Sequence, residues 1–117
     1  MTEEQIALSR RAVACKGWRW MPGMLLADGA WRARVGENWP WYAGAEVLPV
    51  LADPATLGCL LALVREVCED EGVGAICQFV GILNGGRMWS LIGDGGEFGG
   101  YHTTEAEALV AALESAP

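Results

Sequence analysis

Polar and apolar positions along this chain follow two periods, one near 3.6 in three stretches and one near 2 in short segments between them. Residues 3–16 form the first helical stretch. Thr2 with Gln5 makes a T-x-x-Q capping box, Glu3 and Glu4 suit a first turn, and Gly17 can close the helix as its C′ residue. The apolar stripe of Ile6, Val13 and the alanines is thin, which predicts a helix packed along one narrow face. The second stretch opens with Asp53 as N-cap and Pro54 at the first helical position. Leu57, Leu60, Leu61, Val64 and Cys68 then recur at helical spacing up to the acidic Glu69-Asp70-Glu71 and Gly72. The third begins at a T-x-x-E box, Thr104 with Glu107, and carries Ala106, Leu109, Val110 and Leu113.

The period-2 segments read as strands. Trp18 to Met21 alternates, with both indoles on one face and Arg19 on the other, until Pro22-Gly23 breaks it. Met24–Ala27 and Ala30–Val35 flank Asp28-Gly29, a type I′ hairpin signal. Trp31, Ala33 and Val35 face inward there, and Arg32 and Arg34 outward beside Arg19. Residues 36–46, GENWPWYAGAE, have no usable period and read as a loop anchored by Trp39, Trp41 and Tyr42, after which Val47–Leu51 is an edge or connection interrupted by Pro49. Ala75–Leu83 and Arg87–Ile92 make a second hairpin about Asn84-Gly85-Gly86, apolar on both faces. The Gly93–Gly100 run, GDGGEFGG, leads to a short strand or turn around Phe98–Tyr101.

These elements predict one α+β domain over residues 1–117: an antiparallel sheet of four to six strands with three helices, layered helix-sheet-helix because the central hairpin wants cover on both faces. The expected core joins Leu57, Leu60, Leu61, Val64, Leu109, Val110 and Leu113 to Phe79, Trp89 and Trp20.

Composition narrows the class. With 52% hydrophobic and 20% charged residues the chain is globular rather than disordered, and no apolar run approaches the ~20 residues that cross a bilayer. MTEEQIALSRR lacks an apolar signal core, so the expected compartment is a cytoplasm, with no membrane association. Cys15, Cys59, Cys68 and Cys77 form no C-x-x-C pair and are expected to be reduced thiols rather than a metal or disulfide set. Net charge is −7, unevenly spread: residues 1–35 hold six Arg/Lys against three Asp/Glu, and residues 36–117 hold two against twelve. Such an acidic balance argues against direct binding to nucleic acid phosphates.

Candidate chemistry is sparse. GDGGEFGG suggests a phosphate loop, but position six of a G-x-G-x-x-G frame from Gly93 is Phe98, no Lys-Ser/Thr follows, and Asp94 and Glu97 would repel phosphate, so a hairpin turn is expected. His102 stands alone just before a helix cap, with no nucleophile elbow in the chain, and no catalytic residue, metal site or cofactor is expected. The tryptophans of GWRWMPGM read mainly as core. Trp39, Trp41 and Tyr42, in a Pro-interrupted loop, are the candidate protein-binding residues. An alternative site is the Arg19, Arg32 and Arg34 face, which would take a small anionic ligand or nucleotide.

The blocks GWRWMPGM, LPVLADPATLGCLLALVREV and TTEAEALVAALESAP resemble a group of small uncharacterised phage and prophage proteins. More distantly, the order of helix, tryptophan strand, D-P-A-T helix, strands and C-terminal helix looks like the phage ABA sandwich domain. Neither resemblance transfers a functional residue. With the missing catalytic set and the acidic surface, the likeness implies a non-enzymatic accessory protein that binds a host or phage protein in the host cytoplasm, in the manner of an anti-defence, anti-CRISPR-like inhibitor. A structural or morphogenetic phage protein is the further alternative, and self-association is left open.

Overall fold

The computed structural model describes residues 2–26, 48–81 and 86–115, with the side chains of residues 79–81 and 86 excepted. Helix α1 spans Glu3–Val13 and begins as its capping box requires, the Gln5 N–H donating to Thr2 Oγ1 (3.1 Å) and the Thr2 N–H to Gln5 Oε1 (2.9 Å). It ends at Ala14, earlier than expected, and Gly17 is not among the glycines with positive φ. Gly17 is small for another reason. A Cβ there would lie 2.5 Å from Val67 Cγ1 and 3.1 Å from Leu113 Cδ1, so the chain crosses its neighbours too closely for any side chain. The buried positions of α1 are Ser9 and Ala12, and the Ser9 hydroxyl donates to Pro49 O at 2.8 Å.

The Trp18–Met21 segment is not a strand. The expected alternation is nevertheless present in its burial: Trp18 and Trp20 are half-buried and meet edge to face at 5.6 Å, while Arg19 is exposed. An extended chain alternates its side chains whether or not a neighbouring strand pairs with it, so period 2 reports the backbone and not the ladder. Gly23 turns the chain with φ of 97°. Met24 is then fully buried, and an antiparallel bridge from Leu26 to Pro49 joins the points where residues 27–47 leave and return. The hairpin about Asp28-Gly29 and the 36–46 loop lie outside the described residues.

Helix α2 spans Pro54–Val67, capped by Asp53, whose carboxylate accepts from the Thr56 N–H. Its buried face is Thr56, Leu60, Leu63 and Val64. This corrects the expected stripe: Leu57 and Leu61 are only half-buried, Cys68 is exposed, and Leu63 lies at the centre. Apolar residues nearly encircle this helix, so periodicity alone does not select the face that its neighbour covers. Thr56 is buried with its polar atoms satisfied, its hydroxyl accepting from the Leu25 N–H (2.8 Å) and donating to Asp53 Oδ2 (2.9 Å).

Three strands follow, β1 (Gly74–Gly81), β2 (Gly86–Gly93) and β3 (Gly96–His102), paired antiparallel in the order β1-β2-β3. The register sets Ala75 beside Leu91 and Leu91 beside Phe98, all on the face that joins the core. On the other face Gln78 Nε2 donates to Ser90 Oγ and Glu97 Oε1, Tyr101 donates to Glu97, and Ile92 is 40% exposed. Helix α3, Glu105–Ser115, packs against all three strands and against both other helices. The fold class is therefore α+β, with three strands among the described residues rather than four to six. The described helices stack through α3 onto one sheet face instead of enclosing the sheet.

The core gathers Met24, Leu51, Leu60, Leu63, Val64, Val73, Leu91, Leu109, Val110 and Leu113. Trp20 and Trp89 pack against its margin, half-buried, as do Leu57 and Leu61. The Phe79 side chain lies outside the described ones. No helix among the described residues is long and apolar enough to cross a membrane.

Candidate functional site

Most of the residues singled out as interface candidates, Trp39, Trp41, Tyr42, Arg32 and Arg34, lie outside the described residues. Arg19 is described, and its guanidinium pairs with Glu66 at 2.6 Å, both side chains at about half exposure (52% and 57%). An ion pair this exposed contributes about 1 kcal/mol or less.

The best-defined polar site is one that sequence spacing did not single out, where the end of α2 meets the β2–β3 turn. Helix α2 stops in a Schellman arrangement. The Asp70 N–H donates to Arg65 O (3.0 Å), the Glu69 N–H to Glu66 O (3.2 Å), and Glu69 takes the left-handed conformation with φ of 52°. A glutamate at that position is uncommon, because a Cβ crowds the backbone there and glycine does not. Asp70 then acts as a clamp. One carboxylate oxygen accepts from the Gly72 N–H (2.9 Å), and the other accepts from the Asp94 N–H (3.0 Å) of the β2–β3 turn. Gly93 makes this approach feasible, since a Cβ on it would stand 2.6 Å from Asp70 Oδ2. Arg65 fastens the same corner by donating from Nε to Val73 O at 2.7 Å.

The result is an open groove of about 640 Å³ with Val67, Val73 and Phe98 as its apolar lining and Glu69 and Asp70 as its carboxylates, and Glu97 at its edge turns its carboxylate to Gln78 and Tyr101 on the other sheet face. Glu71 and Asp94 stand exposed beside it. Glu97 also accepts from Tyr101, whose phenol is pushed above its ordinary range first by that negative charge. Cys68 lines the groove, but burial and then the Asp70 charge push its thiol up, which disfavours the nucleophilic thiolate; burial does the same at Cys15 and Cys59. The D-x-G sequence Asp70-Glu71-Gly72 just past a helix was a usable signal for the clamp, since aspartate readily bonds the N–H two residues on.

GDGGEFGG is a hairpin as expected: Gly93 pairs with Gly96 across Asp94-Gly95. Gly99 and Gly100, with φ of 81° and 76°, form the bulge that shifts the register between Leu91 and Trp89. His102 donates from Nε2 to Gly99 O (2.8 Å) and holds Nδ1 3.6 Å from Glu107, whose other oxygen accepts from Thr103. No serine or cysteine among the described residues hydrogen-bonds the imidazole. No group of three or more His, Cys, Asp or Glu among the described residues is placed to hold a metal ion.

Fold and site together define an α+β protein with an acidic, apolar-lined groove at one corner. No protein-family model, curated protein or solved structure matches the chain.

Proposed function

We propose that this chain is a small phage-type accessory protein that acts without catalysis, by binding another protein in the host cytoplasm, and that its partner belongs to a host defence system, as with anti-CRISPR-like inhibitors. The observation that carries the reading is the acidic groove, where Glu69 and Asp70 line an apolar cleft and Glu71, Asp94 and Glu97 stand exposed at its edge. Carboxylates presented this way complement a basic surface that normally meets nucleic acid, and the long-range field speeds the encounter. The apolar lining supplies contact area that charge alone does not. Trp39, Trp41 and Tyr42 are proposed as aromatic anchors for the same partner. The likeness of GWRWMPGM and its companion blocks to small phage and prophage proteins supports the setting.

The test is affinity capture from a bacterial host lysate, with the partner identified by mass spectrometry. It is repeated at raised salt, with Glu71→Lys/Asp94→Lys and with Trp39→Ala/Trp41→Ala. The expected result is a nucleic-acid-binding protein that is lost at raised salt and weakened in both variants, and that added nucleic acid displaces. Capture indifferent to salt and to the charge reversal, or turnover of a substrate by the purified chain, overturns the proposal.

A further inference from the structure

Away from the acidic groove, the N-terminal ends of α2 and α3 converge with α1 on a second cavity of about 190 Å³. Leu8, Val50, Leu51, Leu57 and Ala106 make its walls, and Leu51 is itself part of the buried core. An apolar cavity of roughly 150 Å³ admits a benzene ring, so this one has room for about six to eight carbon atoms. Glu105 is the one charged residue that lines it. Its carboxylate is half-buried and has no hydrogen-bond or ion-pair partner among the described residues, and burial pushes its pKa up. A partly desolvated carboxylate without a partner is a cost that an incoming donor of positive charge relieves.

We infer that this cavity is a binding site for a small free amphiphilic amine, an alkyl or arylalkyl ammonium whose hydrocarbon fills the leucine-lined space while its ammonium donates to Glu105. Both halves of the ligand follow from the lining. Among the described residues no Lys, Arg or His side chain lines the cavity and the Glu105 carboxylate repels an acid, while hydrocarbon alone leaves that carboxylate further desolvated and unpaired.

Hexylammonium, hexanol and hexanoate are the probes, titrated into the intact protein while backbone amide shifts are followed by NMR. Hexylammonium is expected to perturb Leu8, Leu57 and Ala106 and to bind about tenfold more tightly than hexanol, with hexanoate weakest, an order that places ~1.4 kcal/mol on the charge contact. In Glu105→Gln the amine is expected to fall to the affinity of the alcohol, with the alcohol little changed. Ala106→Leu, checked for retained amide dispersion, should exclude all three. Equal binding of amine and acid, shifts mapping elsewhere, retention of the amine preference in Glu105→Gln, or no binding by any probe overturns the inference.

Discussion

At the scale of single residues the fold is shaped by side chains in backbone positions that would suit others. Glu69 occupies the left-handed position that ends α2, where a Cβ costs about 1–2 kcal/mol, and it adds a negative charge where the helix dipole is already negative. Glu69→Gly relieves both, against about 0.4–1 kcal/mol for the freer unfolded chain. The expected net is a stabilisation of about 0.5–1 kcal/mol, read as a raised denaturant midpoint with unchanged slope. A lowered midpoint would show that Glu69 makes a compensating contact. Gly17 presents the opposite case: its φ is ordinary, and Val67 and Leu113 demand its size.

At the scale of elements the decisive contact is between α2 and α3. Leu63 is fully buried between them and the rest of the core, while Leu61 keeps solvent on one side. Leu63→Ala is therefore expected to lower stability by about 2–5 kcal/mol, and Leu61→Ala by at least 1 kcal/mol less. Urea unfolding of both variants decides it, and an equal or reversed order would place the α2 face back on the stripe of Leu57, Leu61 and Cys68. Ala108 and Ala112 contribute by absence of bulk, letting α3 pass close to its partners while Leu109, Val110 and Leu113 fill the core.

Across the whole molecule, the first helix is tied to the last by a two-pronged ion pair. Arg11 donates from Nε and Nη2 to the two oxygens of Glu114, at 3.1 and 2.6 Å. That hydrogen bond holds the Glu114 carboxyl below its ordinary range, near 4.5, and raises Arg11. A depressed acid contributes stability above its unfolded pKa and loses it as pH falls through the folded one. The window thus opens near pH 4.5 and extends below it. With side chains 47% and 39% exposed, solvent screening limits the contribution to about 1 kcal/mol or less. Acidification from neutral pH should narrow the stability gap between the wild-type chain and Glu114→Gln, as measured by denaturant unfolding at each pH. A gap independent of pH would show the pair to be energetically silent.

The local chemistry of the chain was legible in its order. The capping box of α1, the Asp53-Pro54 start of α2, the Thr104 cap of α3 and the turns at Pro22-Gly23 and Asp94-Gly95 depend on residues within four positions of one another, so spacing determines them. The burial alternation of Trp18, Arg19 and Trp20 was legible too, because an extended backbone imposes it. Whether that backbone joins a sheet was not, since a ladder needs a partner that the segment does not contain. Tertiary structure likewise chose Leu63 over Leu61, because a helix apolar on most sides takes its buried face from what packs against it. The acidic groove and the Glu105 cavity were invisible for the same reason. Asp70 meets Asp94, and Glu105 meets Leu8 and Leu57, only after helices and strands distant in sequence have closed on α3, and no local spacing encodes a contact between distant elements.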